Sequence, residues 1–437
     1  MLPTDRQIFS LAIPAIITNI TVPLLGLADL AIVGHMGSTA YIGAVAVGTM
    51  VFNVIYWIFG FLRMGVSGLT SQALGANHTA DIVRLLHQAM LAALFVAAII
   101  VIGQRPLLAM ALMAMQPQAD VAAAVGTYFS ICVWGAPAVM GLYALTGWCI
   151  GMQNTRIPMY VSIVQNIVNL LTSITLVYGL GWHIEGVATG TLVAQWAGLA
   201  MAWLCLRRSS LIPLITNRQR QTIGCWHRGL LHFFAVNRDI FLRTLFLVSV
   251  NLFFTVAGSR QGTLTLSANT LLLTLFTITS FFMDGLAYAA EALGGHRCGA
   301  HDSKGFVLLI RRLALWGGLV AVVFTLLFAL GGSSLLHLLT SDEAVVTQAM
   351  HYLPWAAAIP LAGVAAFLLD GLFIGLTATR AMLWSSAIAA VAFFVIYAIA
   401  TPLIANHALW LALIVYLALR GLTQACMLRS IAMNKIS

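Results

Sequence analysis

Charged residues are scarce in this chain, at 8% of 437 residues, whereas ordinary soluble domains contain about 25%. Apolar residues make up 61% of the sequence, and the mean hydropathy is +0.98. No polar stretch is long enough to form a separate soluble domain. This composition excludes a soluble globular protein and predicts an all-α integral membrane protein with many spans.

Motifs that would indicate an enzyme, a metal centre or an ATP-driven pump are also missing. The sequence has no GK[ST] phosphate-binding loop and none of the paired-Asp or His–Glu motifs of membrane enzymes. We therefore expect no catalytic residues. The cysteines lack CxxC spacing, and we expect neither disulfides nor a metal. There are six of them: Cys132, Cys149, Cys205, Cys225, Cys298 and Cys426.

The net charge of +9 does not indicate nucleic-acid binding, because the basic residues are dispersed at the ends of apolar runs. These runs are long enough to cross a bilayer, for which about 20 apolar residues suffice. We predict twelve spans, near 8–34, 43–73, 85–105, 121–150, 157–179, 185–206, 236–258, 265–291, 308–331, 345–375, 381–403 and 408–429.

The positions of Lys and Arg set the predicted orientation. If the N-terminus is cytoplasmic, the outer loops hold only Arg105 and Arg260, and nearly all other basic residues lie inside. This is the positive-inside pattern, and an even number of spans then places both termini in the cytoplasm. Three arginines fall inside spans near their cytoplasmic ends, where long side chains can snorkel to the interface: Arg63, Arg243 and Arg420.

The two halves of the chain resemble each other. The segment 147–156 (GWCIGMQNTR) and the segment 371–380 (GLFIGLTATR) share five of ten residues. Two weaker matches, RQIF against RDIF and QALGA against EALGG, fall in similar register. We interpret the chain as a duplicated six-helix unit. The predicted domains are an N-lobe at 1–206, a basic cytoplasmic linker at 207–230 and a C-lobe at 231–437, with two pseudosymmetric lobes around a central cavity.

The first apolar run, 6–33, carries features that a simple membrane anchor does not need. Asp29 is an acid at membrane depth, and such residues usually line a bundle interior and mark a transport path. Pro14 and Pro23 each remove a backbone hydrogen bond and give the helix places to bend. The alternative is a structural Asp with two passive kinks, and this helix alone does not decide between them.

Several motifs together resemble the multidrug and toxic compound extrusion (MATE) family. They are VPLLGLAD ending at Asp29, QALGA at 72–76 and GMQNTRIP at 151–158. The tracts MDGLAYAAEALG at 283–294 and LDG at 369–371 resemble its DNA-damage-inducible, DinF-like branch. The resemblance implies twelve helices in two lobes. It also implies export of organic, often cationic or amphiphilic, compounds across the bacterial cytoplasmic membrane in exchange for protons or sodium ions.

The same resemblance implies a coupling site in the N-lobe. Matching the family pattern residue by residue places Asn169 and Thr191 beside Asp29, with Tyr128 as the aromatic hydroxyl and Pro14 at the bend of the first helix. The family's fifth-helix motif ends in Asp four residues after the Asn, whereas this chain has Ser173 there. The loss of a second carboxylate puts a sodium site of the family type in doubt.

The residues themselves fit this chemistry. Burial disfavours the charged form of Asp29, and amide and hydroxyl groups can bond to either protonation state of an acid. Each polar group could equally make an ordinary interhelical hydrogen bond. Two further acids, Asp284 and Asp370, lie at membrane depth in the second half. They could form a C-lobe cation site, or they could be counter-ions for Arg63, Arg420 or each other.

We therefore predict a proton-coupled multidrug antiporter that works by alternating access and needs no cofactor beyond an ion gradient. Its expected partners are cationic or amphiphilic small molecules, protons and the lipid bilayer, and we expect a monomer. A sodium-coupled exporter and a flippase for lipid-linked precursors are the alternatives. A flippase would need several cavity-facing Arg or Lys for a polyphosphate headgroup. An integral-membrane enzyme or a receptor is disfavoured by the missing motifs and by the duplication.

Overall fold

A computed structural model describes residues 3–36, 38–208 and 229–436, and these contain only helices and turns. Twelve helical segments are long and apolar enough to cross a membrane, which confirms the predicted all-α membrane fold. The helices are α1 Pro3–Gly34, α2 Thr39–Phe59, α3 Phe61–Gly75, α4 Thr79–Ile102, α5 Gln104–Met115, α6 Ala119–Cys132, α7 Ala136–Gly151, α8 Arg156–Ile174, α9 Ile184–Arg208, α10 Leu230–Ser259, α11 Thr263–Gly299, α12 Ser303–Leu339, α13 Glu343–Gly375, α14 Thr379–Ile404 and α15 Asn406–Ile436.

Three spans are interrupted rather than uniform. The second is divided between α2 and α3 at Gly60, and the fourth contains a 3₁₀ turn, Val133–Gly135, between α6 and α7. The fifth span continues from α8 into a π-helical turn, Thr175–Gly179. The short α5 occupies part of a predicted outer loop and buries none of its residues. The pattern of apolar runs predicts only a loop there.

The duplication is visible in helix packing. A Cβ added at Gly147 would lie 2.3 Å from the Arg63 carbonyl oxygen, and one at Gly371 would lie 2.3 Å from the Ala287 carbonyl oxygen. Both glycines therefore mark a close helix crossing that a larger residue would prevent. One turn later, a Cβ at Gly151 or Gly375 would meet the carbonyl oxygen of residue 67 or 291. Positions 63, 67, 147 and 151 thus recur at 287, 291, 371 and 375, each 224 positions later.

Turns repeat with the same offset. Asn77 and His301 follow corresponding helices and have φ values of 57° and 52°, and Gln153 and Thr377 have φ values of 59° and 49°. Left-handed backbone is uncommon in residues other than glycine, so its recurrence 224 positions later indicates one structural unit used twice.

The described residues form two compact units. One comprises Met1–Ile16, Leu74–Asn77 and Phe234–Ser437, and the other comprises Ile17–Ala73 and His78–Phe233. These units differ from the predicted N-lobe, 1–206, because the boundary between them falls within α1, after Ile16. Most of the predicted linker at 207–230 lies outside the described residues, so the division into lobe, linker and lobe stays a prediction.

The N-terminal part of α1 packs with the second half of the chain for specific reasons. The Trp316 indole Nε1 donates a hydrogen bond to Asp5 Oδ1 over 3.1 Å, and Arg312 Nε lies 3.9 Å from the same oxygen. The rings of Phe9 and Trp316 meet edge to face at 4.7 Å. Asp5 is 4% exposed, so a buried acid and an aromatic pair attach the start of α1 to α12.

Candidate functional site

Asp29 is buried in the unit that contains most of the first half, with 1% of the residue exposed. Asn169 Nδ2 donates to Asp29 Oδ1 over 3.0 Å, and the Thr191 hydroxyl donates to Asp29 Oδ2 over 2.6 Å. Asn169 Nδ2 also lies 3.2 Å from Thr191 Oγ1. We call these three residues the Asp29 cluster. The structure brings together the acid, the amide and the hydroxyl that the family resemblance placed there.

Three helices build this cluster. Asp29 comes from α1, Asn169 from α8 and Thr191 from α9. The close approach of α8 and α9 depends on Gly190, because a Cβ there would lie 2.0 Å from the Ser173 hydroxyl oxygen. A small residue immediately before Thr191 thus lets its hydroxyl reach the acid.

Ser173 and Tyr128 lie near this cluster, but the hydrogen bonds to the Asp29 carboxylate come from Asn169 and Thr191. Ser173 is fully buried, and among the described residues no group bonds to its hydroxyl oxygen. Tyr128 is 3% exposed, and its phenol lies within electrostatic range of Asp29 and beside the Cys132 thiol. Gly48 makes room for the Tyr128 ring, since a Cβ there would lie 2.5 Å from its Cδ1.

The two prolines of α1 have different surroundings. Pro14 is buried and Pro23 is exposed, and α1 is helical through both of them. A bend at either proline stays a prediction.

The predicted C-lobe cation site needs correction at Asp370. This carboxylate is 7% exposed and accepts a hydrogen bond from Arg243. Gln424 Nε2 donates to Asp370 Oδ1 over 2.6 Å, and Arg420 Nη2 lies 3.4 Å from Asp370 Oδ2. We call Asp370, Arg243, Arg420 and Gln424 the Asp370 cluster. Two guanidinium groups already neutralise this carboxylate, so a further cation would be repelled.

The predicted snorkelling of Arg243 and Arg420 is also wrong, because both side chains contact the buried carboxylate of Asp370. Arg243 and Arg420 are only 5% and 4% exposed, because they point at a buried acid rather than at the interface. Arg63, by contrast, is partly exposed. Asp284 is also partly exposed, and it lies within electrostatic range of Arg420. The counter-ion alternative named Arg420 correctly but did not include Arg243.

Two polar side chains that bond to the backbone of α1 were not predicted from the sequence. Asn166 Nδ2 donates to the Thr21 carbonyl oxygen over 3.0 Å, and the Tyr178 hydroxyl donates to the Ile32 carbonyl oxygen over 3.4 Å. Asn166 and Asn169 are three residues apart, which places them on one face of a helix. This spacing could have indicated that Asn166 also faces α1.

Twelve membrane-length helices in two similar halves, with an acid buried among neutral donors, define a polytopic membrane transport protein. Residues 14–175 and 240–399 each match the MatE family, one match in each half of the chain. The chain belongs to this family, which confirms the predicted resemblance. It is accordingly a transporter and not an enzyme.

Relatives with curated names agree. The chain is 38% identical to DNA damage-inducible protein F of Escherichia coli (strain K12), over 98% of this chain and 92% of the relative. It is 25% identical to a probable multidrug resistance protein NorM of Idiomarina loihiensis, over 79% of this chain and 75% of that protein. Among solved structures, the Vibrio cholerae MATE transporter VcmN in the bent form superposes with a TM-score of 0.86 at 17% identity, covering 99% and 98% of the two chains. This last likeness concerns the fold.

Proposed function

We propose that this protein is a secondary active exporter of cationic or amphiphilic organic molecules, driven by protons that bind at Asp29. It resides in a bacterial cytoplasmic membrane with both termini in the cytoplasm, as the distribution of Lys and Arg favours. It works as a monomer and needs an ion gradient but no cofactor. The relatives named as multidrug resistance proteins support the substrate class.

The observation that carries this proposal is the set of partners around Asp29. Among the described residues, no basic side chain lies within ion-pairing distance of its carboxylate, which is bonded only by the neutral groups of Asn169 and Thr191. A buried carboxylate without a cation is costly, and binding one proton removes that cost. The acid is therefore poised to change its charge during a transport cycle.

The partners of Asp29 suit both of its protonation states. In the ionised state, the Thr191 hydroxyl and the Asn169 amide both donate to it. A hydroxyl can also accept a hydrogen bond. When Asp29 carries a proton, Thr191 can reverse its role and accept from the acid. Asp29 can therefore gain or lose a proton and still be hydrogen-bonded in both forms. Proton-driven exchange further requires that substrate and proton favour opposite states of the protein.

Asp370 is a poor alternative as the proton site. Two arginines stabilise its ionised form, so protonation would remove the buried negative charge that both of them contact. We interpret the Asp370 cluster as an ion-pair network that stabilises the fold. We therefore assign coupling to Asp29 alone.

A sodium-coupled exporter is the second candidate, and one observation favours it. Two buried oxygens near Asp29, Asn169 Oδ1 and Ser173 Oγ, bond to no other described group. Carboxylate, amide and hydroxyl oxygens are the ligands that hard cations prefer. One carboxylate is a weak counter-charge for a dehydrated cation, and for this reason we favour the proton.

Transport in proteoliposomes tests both candidates. The probe is ethidium, a fluorescent lipophilic cation, and its movement is followed first under an imposed pH gradient and then under a sodium gradient with the pH gradient collapsed. We expect ethidium movement under the pH gradient alone and its loss in Asp29→Asn. The control is Asp302→Asn, which removes an acid outside the spans.

Three results would contradict this assignment. Movement of ethidium at the wild-type rate in Asp29→Asn would exclude Asp29 as the coupling acid. Sodium-driven movement with no response to a pH gradient would replace the proton by sodium. Absence of movement under both gradients, in protein that is folded and inserted, would reject the proposed function for lipophilic cations.

A further inference from the structure

We propose that the fifth span, α8 together with its π-helical turn Thr175–Gly179, holds the backbone of α1 on both sides of Asp29, and that Asn166 and Tyr178 are positioning residues for this acid. We call Asn166, Asn169 and Tyr178 the α8 clamp. The effect on transport rests on the function proposed above, whereas the effect on α1 itself does not.

The contacts of the α8 clamp bracket the acid along α1. Asn166 Nδ2 bonds to the carbonyl oxygen of Thr21 over 3.0 Å, eight positions before Asp29. Tyr178 bonds to the carbonyl oxygen of Ile32, three positions after it. Asn169 bonds to the carboxylate between them. One membrane span therefore contacts α1 at three points, two in α8 and one in the π-helical turn that follows it.

Asn166 bonds to the turn of α1 that precedes Pro23. Proline lacks an N–H group and its ring crowds the turn before it, which weakens the helix there. The Asn166 amide donates to the Thr21 carbonyl oxygen in that turn and also to Ser162 O of its own helix over 2.9 Å. It therefore holds α1 next to the point where proline interrupts its hydrogen bonding.

Tyr178 lies in the π-helical turn that follows α8, Thr175–Gly179, in which Leu180 N bonds to Thr175 O. The neighbouring Val177 is buried, whereas Tyr178 is exposed, and from this turn the Tyr178 hydroxyl bonds to α1. Isolated π-helical turns occur frequently at functional sites.

The consequence concerns how a change at Asp29 spreads. If α1 were attached only through the Asp29 carboxylate, rotation of this side chain could accommodate the bound proton without moving the helix. With the backbone held at Thr21 and Ile32, a change in the bonds of Asp29 acts on the helix between these points. Loss of either backbone contact should loosen α1 between Ile17 and Gly34 and leave the rest of the protein unchanged.

Hydrogen–deuterium exchange of the full chain in lipid nanodiscs tests this directly. Asn166→Leu and Tyr178→Phe should raise exchange in the α1 segment 17–34 roughly threefold, equivalent to an interhelical hydrogen bond of about 0.6 kcal/mol. Tyr178 is 58% exposed, as interfacial aromatics often are. Tyr160→Phe is therefore its matched control, because Tyr160 lies on the same helix and is 49% exposed. Asn251→Leu is the control for Asn166→Leu, since Asn251 donates to its own helix at Leu247 O.

The outcomes separate a positioning role from a general structural one. Increased exchange confined to α1 in the two clamp variants, absent in both controls and reversed in Asn166→Gln, supports the proposal. Unchanged exchange in α1, or an increase spread equally over α10 to α15, overturns it.

Ethidium transport provides the second measurement. The clamp variants should lower the maximal rate several-fold and leave the KM for ethidium nearly unchanged, because they act on α1 and not on the substrate. A rise of the KM for ethidium by the same factor as the fall in the maximal rate would place these residues in substrate binding and overturn their positioning role. If wild-type protein moves no ethidium, the proposed function fails, but the exchange result still decides whether the clamp exists.

Discussion

Asp370→Asn should destabilise this protein strongly, although the new side chain has nearly the same shape. The carboxylate is buried, accepts from Gln424 Nε2 over 2.6 Å and contacts two guanidinium groups. An Asn side chain keeps an oxygen for these donors but carries no charge. Two buried positive charges would then lose the negative charge that both of them contact.

The expected magnitude follows from the geometry. At 3.4 Å from Arg420 and an effective dielectric constant of about 20, loss of this single attraction amounts to about 5 kcal/mol before relaxation. Water penetration and movement of the long side chains offset part of it. Removing one partner of a buried ion pair costs about 3–5 kcal/mol in measured proteins, and we expect a value in that range.

Reversible unfolding in mixed micelles, followed by tryptophan fluorescence, measures this loss. The matched control is Glu343→Gln, whose carboxylate is 78% exposed and lies 3.6 Å from His337. Exposed pairs contribute about 0–1 kcal/mol, so this control should resemble wild type. Replacing Arg243, Asp370 and Arg420 together by Met and Leu should recover most of the stability, as for other buried ion triads.

A stability of Asp370→Asn equal to that of Glu343→Gln would refute this reasoning. It would mean that the buried arginines find other counter-charges or water when the carboxylate is removed.

Three further predictions concern stability. Asp302 Oδ1 accepts a hydrogen bond from Gly305 N at the start of α12. This bond, together with Arg297, lowers the pKa of the Asp302 carboxyl. Asp302→Ala should therefore lower the free energy of unfolding by about 1 kcal/mol at pH 7. Because the folded pKa is depressed, the difference from wild type should vanish as the pH falls below about 4, which unfolding at several pH values checks. Gly371→Ala should sharply reduce monodisperse protein in size-exclusion chromatography, whereas Gly318→Ala, with nothing within 4 Å of its Cβ, should not. Asn406→Leu should cost about 1–3 kcal/mol in thermal unfolding, because the buried Asn269 amide loses its reciprocal partner, and a second change, Asn269→Leu, should recover part of it.

Much of this fold could be predicted because a bilayer allows few solutions. Backbone groups in hydrocarbon must bond within their own segment, so each long apolar run becomes a helix. The duplication could be predicted because close helix crossings require glycine at Gly147 and Gly371, and these glycines align in the two repeated segments. The short α5 was not predicted, since its apolar run at 107–115 is too short to cross a bilayer and it buries none of its residues.

The Asp29 cluster was found through a family motif and not through periodicity. The three residues come from three helices, and only their position within known motifs connects them. Asn166 and Tyr178 bond to carbonyl oxygens of α1, and a backbone acceptor leaves no signature of its own in a sequence. The Asp370 cluster failed in prediction for a related reason. Arg243 is 127 positions from Asp370, and an arginine near a span end resembles a snorkelling residue until its partner is known.

Two of the buried acids of this chain, Asp29 and Asp370, differ in the charge of their hydrogen-bond partners. Asp370 is matched by permanent positive charges, so its ionised form is favoured and its charge changes only at a large cost in stability. Asp29 is matched by an amide and a hydroxyl, which satisfy a carboxylate and can also satisfy a carboxylic acid. Burial alone therefore does not identify a coupling residue in a transporter. The charge of the hydrogen-bond partners distinguishes the two acids, and on this ground we propose that Asp370 keeps its charge and that Asp29 changes it.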